Sequence, residues 1–85
     1  MRTLIKVTKE DIANGCPEST NNCPIARAIL RQVKTDWVSV GYCIKVVDQD
    51  AQHLKYKCPR SAKRFINRFD NGEPVKPFNF YLEKV

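Results

Sequence analysis

Several things are scarce in this 85-residue chain, and each scarcity excludes a class of protein. No apolar run approaches the roughly 20 residues that a membrane span needs. The opening Met1-Arg2-Thr3 leads directly into Leu4-Ile5-Lys6-Val7, too short and too interrupted by charge for a secretory signal. The expectation is therefore an intracellular, soluble protein with no membrane partner. Glycine occurs only at Gly15, Gly41 and Gly72, so no glycine-rich loop exists to cradle a phosphate. Histidine occurs once, at His53, and there is no internal repeat or low-complexity segment. The most informative absence is local: between His53 and Arg68 there is no Asp or Glu.

That stretch holds Lys55, Lys57, Arg60, Lys63, Arg64 and Arg68. Of fifteen Lys and Arg, these six leave nine against nine Asp and Glu, so the whole formal charge of +6 resides here. Charge concentrated in this way creates a field that holds an anionic partner. Nucleic acid is the first candidate and an acidic protein surface the second; a solvated charge run is the bland alternative.

The length suits one domain with a thin stability margin, and an apolar share of 42% argues against disorder. Cys16, Cys23, Cys43 and Cys58 are too sparse for a disulfide scaffold. Reduced thiols are the default without an export signal, a Cys16–Cys23 disulfide is an alternative, and zinc is a poor third because no pair has ligand spacing. No cofactor or metal is expected.

Alternation over Arg2–Val7 predicts a strand. Thr8 followed by Asp11 is a capping-box pattern that starts a short helix, and Gly15 is expected to stop it with a positive φ. A second helix starts at Asn22-Cys23-Pro24, with Ile25, Ala28, Ile29 and Val33 toward the core and Leu30 at the edge. Arg27, Arg31 and Lys34 form a basic stripe that reads as a solvated face.

Trp37 to Val47 alternates without interruption and predicts one long strand. Val38, Val40, Tyr42, Ile44 and Val46 share its core face; Ser39, Gly41, Cys43 and Lys45 share the other. Asp48-Gln49-Asp50 is turn material. Gln52 to Cys58 then returns as the second strand of a hairpin, with Leu54, Tyr56 and Cys58 inward and His53, Lys55 and Lys57 outward. Pro59 opens a third helix whose stripe is Ala62, Phe65, Ile66 and Phe69, stopped by Asp70-Asn71-Gly72. Phe78, Phe80 and Leu82 alternate in a last strand. The order β-αα-ββ-α-β predicts an α+β fold: a single small domain over residues 1–85, with a mostly antiparallel sheet and helices on one face.

Four segments carry a likeness to known sequences: Val7-Thr8-Lys9-Glu10-Asp11-Ile12, Cys23-Pro24-Ile25-Ala26-Arg27-Ala28, Phe65 through Gly72, and Val75-Lys76-Pro77-Phe78-Asn79-Phe80. In these the chain resembles a family of small uncharacterised proteins of bacteriophage and bacterial genomes. The resemblance implies a compact domain working in a phage-like setting, in the cytoplasm of a bacterial host cell. It implies no activity and no catalytic residue. Cys16, Cys43 and Cys58 lie outside that pattern.

Cys23 is the best candidate nucleophile, because a helix N-terminus favours thiolate, and His53 would have to be its base. Nothing in the spacing joins them. Glu10-Asp11 and Asp48/Asp50 are the only paired carboxylates singled out for acid–base or divalent-metal work, and both pairs also suit a helix start and a turn. The residues therefore point to a binding protein rather than an enzyme. Lys55 and Lys57 would project about 7 Å apart from one strand face, and Arg60, Lys63, Arg64 and Arg68 would continue that surface on the following helix. The expected partner is nucleic acid, held by its phosphates. The alternative is an acidic host protein, a defence factor among the candidates, on which this chain docks as inhibitor or adaptor. Trp37 is the one aromatic expected at the surface, and a homodimer is open if Trp37 or the last strand leaves a sheet edge free.

Overall fold

The chain runs β1 (Arg2–Val7), α1 (Lys9–Asn14), α2 (Pro24–Gln32), β2 (Trp37–Val40), β3 (Cys43–Val47), β4 (His53–Lys57), α3 (Arg60–Asp70) and β5 (Phe78–Lys84). This computed structural model describes all residues except Met1, Lys34, Asp36, Tyr42, Gln49 and Val85, and not the side chains of Arg2 and Lys84. The expectations for Lys34, Tyr42 and Gln49 lie outside the described residues. The five strands form one sheet in the order β1-β5-β4-β3-β2, every neighbouring pair antiparallel. The expected α+β architecture is thus what forms, with the helices packed on one face.

One strand differs from expectation. The single strand read over Trp37–Val47 is two, β2 and β3, which fold back on each other with Val38 opposite Val46 and Val40 opposite Ile44. The turn is invisible in the alternation for a simple reason. Three residues separate Val40 from Ile44, so the chain re-enters the sheet with its side-chain parity unchanged. Even-numbered residues face the helices on both sides of the turn.

The core joins all the layers. Ile5 and Val7 of β1, Val38 and Val40 of β2, Ile44 and Val46 of β3, and Phe80 and Leu82 of β5 pack against Ile25, Ala28 and Ile29 of α2 and Ala62 and Phe65 of α3. The Phe65 ring lies 4.7 Å from that of Phe78, which lies 5.8 Å from that of Phe80. Burial of these apolar side chains supplies the main driving force.

The helix ends follow local chemistry. Thr8 and Asp11 form the capping box of α1. Cys23 caps α2, its Sγ accepting from the Ala26 amide, with Pro24 in the first turn. After α3, the Gly72 amide donates to Phe69 O and the Glu73 amide to Arg68 O, and Gly72 takes φ +75°. That pair of bonds is the Schellman stop, which needs a left-handed residue. Gly15 is different from its expectation. Its φ is −74°, and what requires glycine there is space, since a Cβ would sit 2.6 Å from Cδ of Pro24.

Both sheet edges are partly occupied. On β1, the Lys6 amide donates to Gln32 Oε1, and Lys6 O accepts from Gln32 Nε2 and Arg31. On β2, the Val40 amide donates to Thr20 O, and Val38 O accepts from Asn21. The last strand is no edge at all, because β5 inserts between β1 and β4.

Candidate functional site

All six cations singled out from the sequence are exposed, and none makes an ion pair among the described residues. Two belong to β4 and four to α3. Leu54 and Tyr56 of β4 stand opposite Val46 and Ile44 on the helix-covered side, so Lys55 and Lys57 project from the opposite, open face. Arg60, Lys63, Arg64 and Arg68 belong to α3, whose Ala62 and Phe65 pack into the covered side. A continuous strand–helix surface was the expectation; period-2 alternation turns the β4 lysines away from the side on which α3 packs, while Lys57 shares a groove with Pro59 and Ser61 at the start of that helix.

The open face has a basic centre. Lys45 of β3 stands directly opposite Lys55, and Lys57 is two residues along β4, opposite Cys43. Cross-strand partners have Cα atoms about 5 Å apart, and like charges placed so are destabilising. Glu83 of β5, opposite Lys57, is the acidic residue on this face among the described side chains. Around this centre stand large side chains. Trp37 is 42% exposed, Tyr81 44% and Leu4 39%, with Leu4 directly opposite Tyr81.

Lys45 and Tyr81 were missed as site residues, and both had a signal. A hairpin turn at Asp48–Gln52 sets 45 opposite 55, and the inward set Phe78, Phe80 and Leu82 leaves Tyr81 outward.

The helix half of the segment borders a shallow cleft of about 430 Å³ between α3 and the run from Pro74 to Phe78. Arg64, Arg68 and Lys76 line it together with Phe65, Val75 and Phe78. Apolar floor and cationic rim make it chemically unlike the open sheet.

The other candidates acquire structural roles. All four cysteines are free thiols, so the Cys16–Cys23 disulfide does not form. Cys23 is 2% exposed, and burial pushes its thiol pKa up, outweighing the hydrogen bonds from the Ala26 and Ile25 amides. A buried, protonated thiol is a poor nucleophile. His53 sits on the open face, across the sheet from it. Burial also raises the Cys58 thiol, against the pull of Lys63.

Asp11 is 5% exposed, bonded to Thr8 and 2.7 Å from Arg31. Burial raises its pKa, but the Arg31 and Thr8 hydrogen bonds and the Arg31 charge together hold it below the ordinary value. Arg31 is thus more than part of a solvated stripe: it ties α2 to α1 and to the backbone of β1. Asp48 Oδ1 accepts from the Asp50 and Gln52 amides, the work of a turn residue. Among the described residues no group of three or more His, Cys, Asp or Glu is placed to hold a metal ion, and no helix is long and apolar enough to cross a membrane.

No protein-family model, no curated protein and no solved structure matches the chain.

Proposed function

We propose that this protein is a non-enzymatic, phage-type accessory protein that binds nucleic acid electrostatically through the open face of its sheet. The observation that carries the reading is the cluster of Lys45, Lys55 and Lys57. The fold sets Lys45 and Lys55 directly opposite one another, and they make no ion pair among the described residues. A sheet accepts like charges in register at a cost, and a polyanion offsets that cost. Contacts to phosphates position the ligand without reading its sequence, so weak sequence preference goes with this mode.

With three phosphate contacts, affinity falls about 20- to 40-fold between roughly 50 and 200 mM salt. Fluorescence anisotropy of labelled DNA and RNA measures this, and the Lys55→Glu/Lys57→Glu double variant abolishes binding while circular dichroism stays unchanged. Undiminished binding by that variant would remove the open face from consideration.

The cleft beside α3 favours a second reading, docking on an acidic protein segment. Its apolar floor and the rim of Arg64, Arg68 and Lys76 suit a chain that mixes carboxylates with apolar residues. In that case an Asp/Glu-rich peptide binds, Arg64→Glu/Arg68→Glu loses it, and Lys55→Glu/Lys57→Glu keeps it. The two readings use different faces, so the two double variants separate them.

A further inference from the structure

We infer that the occupant of the open face is a single nucleic-acid strand lying diagonally from Trp37 to Tyr81, with a base stacked on each ring and phosphates over Lys45, Lys55 and Lys57. This deepens the nucleic-acid reading and rests on it. The starting point is the pair of aromatic side chains. Trp37 and Tyr81 are 42% and 44% exposed on the face that the helices leave open. The exposed part of each large side chain is surface that a ligand with flat apolar faces would cover.

The register sets the path. Trp37 stands opposite Val47, which stands opposite His53 at one end of β4. Tyr81 lies two residues from Glu83, the partner of Lys57 at the other end. The rings are therefore three strand spacings apart laterally and about six residues apart along the strands, roughly 25 Å in all. Lys55 and Lys57 lie on the strands between them, with Lys45 beside Lys55 on β3. That span holds on the order of four extended nucleotides, the lower end of single-strand site sizes.

Each competing occupant leaves part of this face unused or opposed. A duplex offers phosphates to the lysines, but its base faces are already stacked and cannot cover the rings. A second copy packed face to face would bring two sets of Lys45, Lys55 and Lys57 together and repel. A strand with unstacked bases uses both the charge and the rings.

Trp37 is the single tryptophan of the chain, so its emission reports directly on one end of the path. The unmodified protein is titrated at low salt with an oligothymidylate and with a duplex of equal phosphate number. The expected result is quenching of Trp37 by the single strand and clearly weaker duplex binding. Trp37→Ala and Tyr81→Ala each lower single-strand affinity on the order of tenfold and leave duplex affinity unchanged, and Trp37→Phe retains most of it. Circular dichroism of each variant checks the fold. Equal binding of both forms without quenching overturns the single-strand inference and leaves the electrostatic reading standing. No binding of either form overturns both. Concentration-dependent quenching without any oligonucleotide assigns the face to a second copy and overturns the inference as well.

Discussion

On the helix-covered face of the sheet, Ile44, Val46 and Val38 stand together, none more than 1% exposed; one residue along, on the open face, Lys45 stands opposite Lys55 in water. The same three strands supply both arrangements through one alternation. The covered face holds the fold together, because apolar area leaves water there. The open face adds nothing comparable and contains a like-charge pair that works against the sheet. A surface that costs stability and is kept by the register is the more informative of the two about function.

The largest expected effect breaks the covered side. Ile44→Ala leaves a cavity at a fully buried position and costs about 3 kcal/mol, whereas Lys45→Ala stays within about 0.5 kcal/mol; urea unfolding of both measures the contrast. A cost for Ile44→Ala below that of Lys45→Ala would erase it. Next is Gly15→Ala, which drives a Cβ to 2.6 Å from the Pro24 ring and costs about 2 kcal/mol by the same assay, although Gly15 needs no positive φ.

Asp11 sharpens the comparison through pH. Its native carboxyl titrates below the unfolded value near 3.8, so the native state binds fewer protons there. The stabilisation it provides is complete above that value and is lost as pH falls through the lower native one. Asp11→Asn is expected to cost about 1 kcal/mol at neutral pH, since its partner Arg31 is half exposed, and the gap to the wild type closes in acid. Thermal melts from pH 7 down to 2 follow it; a gap that stays constant with pH would contradict the charged role. The smallest effect is the most diagnostic of function. Lys45→Glu replaces a repelling pair by an attracting one and stabilises by about 0.5 kcal/mol, yet weakens polyanion binding. Stability and affinity moving in opposite directions would mark the open face as a binding surface; moving together would not.

Much of the fold is legible along the chain because the signals are local. The capping box at Thr8 and Asp11, the Cys23-Pro24 start, the Schellman stop at Gly72 and the inward set Phe78, Phe80 and Leu82 are each decided within a few residues. The failures share another cause. The turn between β2 and β3 hides because an odd number of residues preserves parity. The basic segment looks continuous in sequence, but β4 turns its lysines away from the side on which α3 packs.

What the sequence by itself determined is the element types, the inward residues and the placing of all the net charge within sixteen positions, His53 to Arg68. These depend on periodicity, capping and composition, which act at short range. Only the tertiary structure decided that β5 inserts between β1 and β4, that Tyr81 thereby stands opposite Leu4 and next to the strand of Lys55 and Lys57, and that these lysines face away from the side on which α3 packs. Those facts depend on which strands pair and in what register, a choice made by the shared core and by no single segment.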